Sequence, residues 1–174
     1  MGNVRLYGAT SGYTELAPPA VAPDGVLSLP SGTGTLLTAE GGKVLQVVRA
    51  TDTTLRSTTS TSFVDVTGMS VTITPQKSTS AILVMAYHLD EITGASGYIA
   101  TQITNSANTQ ISGGGVTFTG PNAQDVASVA HVGYDTPATT SAVTYKLRFK
   151  VTAGTGSVLN NEMPGQMYAI EVSA

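Results

Sequence analysis

Cysteine and tryptophan are absent from this chain, phenylalanine occurs three times, and aromatics make up 6% of its 174 residues. Without cysteine there is no disulfide framework, no thiolate metal site and no thiol nucleophile, so the fold must be held by packing alone. Charge is also scarce: Asp, Glu, Lys and Arg together are 11%, the net charge is −3 and the isoelectric point is near 5.2. A protein that binds nucleic acid electrostatically shows a basic stripe. Here Lys43, Arg49, Arg56 and Lys77 are scattered, and only Lys146, Arg148 and Lys150 fall into a row. No apolar run of about 18 residues could cross a membrane as a helix. No apolar segment follows Met1–Arg5 to make a signal peptide. Synthesis in a cytoplasm is expected, with neither nucleic acid nor membrane as partner.

What is abundant is hydrophobic residues, at 41%, and a polar complement made mainly of Thr, Ser and Gly. Beta-branched residues favour pleated sheet and Gly and Pro punctuate turns, so the predicted fold class is all-β. The stretch Ser57–Tyr87 reads as two strands joined at Gly68, a turn through Pro75–Ser80, and a third strand. Met69, Val71 and Ile73 alternate with Ser70, Thr72 and Thr74, the period of a sheet with one buried and one wet face. Ile82–Tyr87 is apolar at every position, which predicts a central strand covered on both faces.

Later segments extend the pattern. Val143, Tyr145, Leu147, Phe149 and Val151 alternate with Thr144, Lys146, Arg148, Lys150 and Thr152, predicting a half-buried strand whose wet face carries the basic row, solvated or salt-bridged. Gln124–Tyr134 reads as a strand with small residues inward, Asn105–Asn108 as a hairpin turn, Thr136–Ser141 as a turn around Pro137, and Ile92–Gly97 as a loop. In Gln166–Val172, the larger apolar side chains Tyr168, Ile170 and Val172 are expected to face the core. About eight antiparallel strands over residues 43–174 suggest a jelly-roll-like β-sandwich.

Residues 1–42 differ. Short pieces such as Val4–Tyr7, Tyr13–Leu16, Val26–Leu29 and Thr35–Leu37 are separated by turn signals. A segment of about 40 residues cannot bury enough surface to fold alone. Intertwining with copies of itself about a symmetry axis would solve this, and a disordered linker is the alternative. The residues expected to build such a base are Leu6, Tyr13, Leu16, Leu27 and Leu29.

The segment VRLYGATSGYTELAPPAVAPDGVLSLPSGTGTLLT, residues 4–38, resembles a short motif of tail-fibre and other virion surface proteins of tailed bacteriophages. The run VLQVVRATDTTLRSTTSTSFVDVTGMSVTITPQKSTSAILVMAY, residues 44–87, resembles a C-terminal β-sandwich module of phage fibre-type proteins, with a weaker echo in DTPATTSAVTYKLR. The resemblance implies a homotrimer with an intertwined N-terminal base and a sandwich knob, carried on a virion made in a bacterial cytoplasm. Its partners would be its own copies and the major capsid protein or tail proteins, and in addition a host-surface glycan. Capsid decoration, as a cement protein or head fibre, suits a chain with so short a foot. A short tail fibre or receptor-binding tip is the alternative, and a free carbohydrate-binding module is a third reading.

Reactive chemistry finds little purchase in these residues, and the protein is expected to be non-enzymatic and cofactor-free. His88 and Asp90 would share a strand face and could meet a cation, but a metal site needs three or more converging ligands. A solvated strand end is expected there, and a hydrogen-bonded histidine at a subunit contact for His131. No Gly-x-Ser-x-Gly elbow occurs, and Gly113–Gly115 lacks the following helix and Lys-Ser/Thr pair of a phosphate cradle; a flexible turn or bulge is expected instead.

Overall fold

A computed structural model describes residues 4–7, 13–16, 43–94, 97–120 and 125–173. The chain divides into two compact units, residues 1–38 and 39–174. In the first, β1 (Val4–Tyr7) and β2 (Tyr13–Leu16) pair antiparallel, with Val4 opposite Leu16 and Leu6 opposite Thr14. Of the expected base residues, Leu6, Tyr13 and Leu16 lie in this pair, while Leu27 and Leu29 lie outside the described residues.

The second unit is an antiparallel β-sandwich without a helix among the described residues. Its strands are β3 (Val44–Asp52), β4 (Arg56–Thr58), β5 (Val64–Ile73), β6 (Ala81–Thr93), β7 (Ile99–Asn105), β8 (Thr117–Thr119), β9 (Asp125–Asp135), β10 (Val143–Val151), β11 (Thr155–Val158) and β12 (Gly165–Val172). One sheet has the order β5-β10-β7-β8; the other runs β3-β12-β6-β11-β4, with β9 also paired to β6. Between them lies an aliphatic core of Met69, Val71, Ile73, Ile82, Val84, Ile103, Tyr145, Leu147, Phe149 and Met167, among others. Strand β10 shows the expected alternation, with Tyr145, Leu147, Phe149 and Val151 buried.

Gly68 does not join two strands. Both halves of β5 pair with β10, and the register jumps where Lys146 faces Ser70 but Arg148 faces Asp65. Gly68, at φ +92°, sits inside this bulge, where a left-handed residue lets a strand take up extra chain without leaving its sheet. Its α-carbon also lies against Asp52: a Cβ there would come within 2.7 Å of that carboxylate. Asp52 in turn holds Asn160 Nδ2 at 2.9 Å and Arg56 Nη2 at 3.3 Å.

The third strand is twice the expected length. Ile92 and Thr93 belong to β6, so the loop predicted from Ile92 starts later. His88 and Asp90 are therefore inside the sandwich, fully buried, and not at a solvated strand end. His131 is also buried and bonded within its own chain, which corrects its expected place at a subunit contact. Asn105–Asn108 forms the expected turn, with Asn108 at φ 65° and the Asn105 side chain accepting from the Ala107 and Thr109 N–H groups.

Candidate functional site

Three groupings of polar or apolar side chains stand apart from the plain core. The first is a buried polar cluster between the sheets. His88 (β6) and His131 (β9) are diagonal neighbours across the ladder, and their rings stack at 5.6 Å with 10° between planes. Thr101, from the opposing sheet, lies with Oγ1 at 3.0 Å from His131 Nε2 and donates weakly to Asp90 Oδ2 at 3.4 Å. His88 Nε2 is 3.1 Å from Asp90 Oδ1. Burial, then the nearby His88, push the His131 pKa down to about 4 against a hydrogen bond with the Gly115 backbone. Parallel stacked imidazoles do not aim their lone pairs at one point, and no group of three metal-ligating side chains occurs among the described residues. The cluster is an inter-sheet tether.

The second is the basic row. Lys146 Nζ and Arg148 Nε both donate to Asp65, at 2.9 and 2.8 Å, and Arg148 Nη2 also donates to the Phe63 carbonyl at 2.6 Å. Lys150 lies over the Phe63 ring at 4.8 Å. A row so engaged is the salt-bridged face expected of it, with its charge directed at its own strand neighbours.

The third is the outer face of the six-stranded sheet. Register places Val47, Ile170, Leu83 and Tyr134 side by side across four strands, and Arg49, Tyr168, Met85 and Val132 in the next row. Tyr87 lies beside Gln166 and Ala130 in the row after that. Val47 is 56% exposed, Val132 and Tyr134 51%, Tyr87 41% and Met85 39%. This corrects two expectations. Strand β6 is apolar at every position from Ile82 to Tyr87, yet only its even-numbered side is inside the sandwich. In β12 the core-facing set is Met167, Ala169 and Glu171, all with no exposure, so Tyr168, Ile170 and Val172 point the other way.

Glu171 explains the phase of β12. Its carboxylate accepts from the Gln76 N–H at 2.8 Å, the Lys77 N–H at 3.3 Å and Gln46 Nε2 at 2.6 Å. The Pro75–Ser80 turn thus closes on a buried anion, and a strand whose period is two must then present Ile170 and Tyr168 outward. The apolar face was not identified from sequence, though its signal was present: Ile82–Tyr87 has no polar side, and the outward positions of β9 carry Val126, Val132 and Tyr134 along with Ser128 and Ala130.

Gly113 and Gly114 lie close against neighbouring backbone and Ile111. The Gly114 carbonyl accepts from the Ile103 N–H at 3.1 Å, and Ser112 bridges to Tyr134. Side chains at Gly113 or Gly114 would meet backbone or Ile111 within 2.9 Å. These glycines let a covering loop approach β7 and β9 closely.

No family model matches the chain, and no curated protein matches it. Among solved structures, similarity is found to the tripod (BppUct-A-L) from the baseplate of bacteriophage Tuc2009, at 14% identity and a TM-score of 0.44, over 91% of this chain and 84% of that one. The D431N mutant VP2 protein of infectious bursal disease virus is similar at 14% identity and a TM-score of 0.39, over 97% of this chain and 44% of VP2. The Gx strain of the same virus gives 15% and 0.39, over 94% and 43%. Likenesses this distant carry no weight on what the chain does.

Proposed function

We propose that the chain is a non-enzymatic structural protein of a tailed-phage virion, a homotrimer that decorates the capsid by a short N-terminal foot and displays the sandwich outward. The observation that carries this reading is the division of the chain into a short-strand unit and a sandwich at the joint between the two phage-like sequence segments. Its partners are its own copies and the major capsid protein.

Antibody-gold labelling of intact particles tests the placement. Label spread over heads is expected; label confined to tails would make the protein a short tail fibre, and unlabelled particles would overturn the virion reading. Glycan binding is a second reading, favoured by one observation: Tyr87 and Tyr134 are exposed on the outer sheet face, where aromatic rings can stack on sugars. Glycan-array binding by a monomeric protein would support it over the structural role.

A further inference from the structure

We infer that the outer face of the six-stranded sheet, centred on Met85, Tyr87, Val132 and Tyr134, is the surface through which the sandwich packs against a second copy of itself. This rests on the self-association proposed above and adds the face that makes it.

The first argument is size. With about 150–250 Å² for a large side chain, the five exposures given amount to roughly 360–600 Å² of surface. The largest patch on an ordinary monomer is about 300–600 Å², and a standard interface takes about 800 Å² from each partner. The face lies within the first range, and the partly exposed Leu83, Tyr168, Ile170 and Val172 extend it towards the second.

The second argument is how the face comes to be apolar. Strand β12 buries Glu171 and leaves Tyr168, Ile170 and Val172 outward, while β6 places Leu83, Met85 and Tyr87 beside them. Strands that are apolar on both sides belong where both sides are covered. A face of this kind needs constant cover, and the partner always made at the same place and time is another copy.

The third argument is composition. Among the rows described, the charged side chain is Arg49, and it lies over the Tyr168 ring at 5.8 Å. A nearly uncharged face can meet its own copy without like-charge conflict, as a symmetric contact requires. A sugar platform would need polar groups beside its rings. Here the neighbours of Tyr134 and Tyr87 include Leu83 and Ala130, and the Tyr168 hydroxyl already donates to Gln166. Strand β9 adds a long sheet edge, which among the described residues is bridged only at Ser112 and Tyr134.

The test uses the full chain and the variants Met85→Arg and Val132→Glu, read by sedimentation and by native mass, with far-UV circular dichroism as the check on folding. The wild type is expected to associate, and each variant to stay folded while the concentration for half-assembly rises by about 100-fold or more. Variants that assemble as the wild type does would overturn this face and leave self-association standing. A wild type that is monomeric at tens of micromolar overturns both, whether or not it binds glycan. Should either charged variant fail to fold, Val132→Cys gives a single thiol in a cysteine-free chain. Maleimide labelling slowed at least tenfold in the assembled protein relative to a diluted, dissociated sample supports the face, and equal rates overturn it.

Discussion

The Tyr145 hydroxyl donates a hydrogen bond to Asp135 Oδ2 at 2.8 Å, joining β10 of one sheet to the end of β9 in the other. The ring is fully buried in the core while Asp135 is half-exposed, so the bond links the dry interior to its rim. Burial first, and then this carboxylate, raise the Tyr145 pKa well above the usual phenol range.

Tyr145→Phe keeps the ring and removes the bond. Asp135 can take up water in its place, so the expected loss is about 1–2 kcal/mol, at the lower end for a hydrogen bond to a charged group. Urea unfolding monitored by circular dichroism reads it as a lower midpoint at unchanged slope. A change under about 0.3 kcal/mol would show that the sheets are held without this bond.

Buried His131 makes stability fall in mild acid. His131 has a folded pKa of about 4 against 6.5 for the ordinary group, so between those values the unfolded chain takes up a proton that the folded one does not. Stability is therefore fully present above pH 6.5 and declines as pH drops towards 4, by about 3 kcal/mol at 1.36 kcal/mol per unit. His131→Gln should flatten this part of the curve. The groups facing the ring are His88 stacked on it, Thr101 at 3.0 Å, Asp90 beyond Thr101, and the Gly115 backbone. Unfolding free energies at pH 7.5, 6, 5 and 4 decide it, and parallel curves for wild type and variant would remove His131 as the cause.

Gly68 should not tolerate a side chain. At φ +92° any L-residue is strained, and its Cβ would fall 2.7 Å from Asp52 Oδ1 and Cγ, displacing a carboxylate that holds Arg56 and Asn160. Gly68→Ala is expected to cost about 2 kcal/mol or more, combining backbone strain with the disturbed hydrogen bonds. Gly115→Ala, where the nearest atom is 3.8 Å away, serves as the control and should shift the midpoint little. Equal midpoints for the two variants would contradict the bulge geometry.

Strand β10 was legible because its alternation is strict and its polar side is long and charged, so only one phase buries the apolar set. Strand β12 was misread for the opposite reason. Ranking side chains by hydrophobicity puts Tyr168, Ile170 and Val172 inside, but the phase is set by three donors that converge on Glu171 from residues about 95 and 125 positions away. His88 and Asp90 were misplaced because a strand continuing past His88 carries polar residues that look like an exit from the core. Only the arrival of Thr101 and His131 from other strands makes that interior polar. The Gly68 bulge has the composition of a turn, and what separates the two is that both flanks pair with one strand. Local periodicity reports which strands exist, and long-range polar pairing decides which way two of them face.

Glu171 offers the sharpest test of that last point. Burial works to raise its pKa, but hydrogen bonds from Gln46 and the Gln76 and Lys77 N–H groups outweigh it and hold the carboxyl below its ordinary value. A carboxylate whose folded pKa is depressed stabilises the fold above its unfolded value of 4.5, and that contribution is lost as pH falls through the lower folded value. Glu171→Gln preserves volume but presents an amide N–H₂ to a nest made only of donors, so at least one of the Gln76, Lys77 and Gln46 groups loses its acceptor. The expected cost at pH 7 is about 2–3 kcal/mol, since charge-assisted bonds are the stronger class and a buried unpaired donor is costly. Below pH 4.5 the gap between variant and wild type should narrow, because the unfolded wild-type chain takes up a proton at this carboxyl that the folded one resists. Guanidinium unfolding at pH 7 and pH 3 measures both. A variant as stable as wild type at pH 7 would mean the turn closes without the anion, and the outward phase of Tyr168 and Ile170 would need another cause.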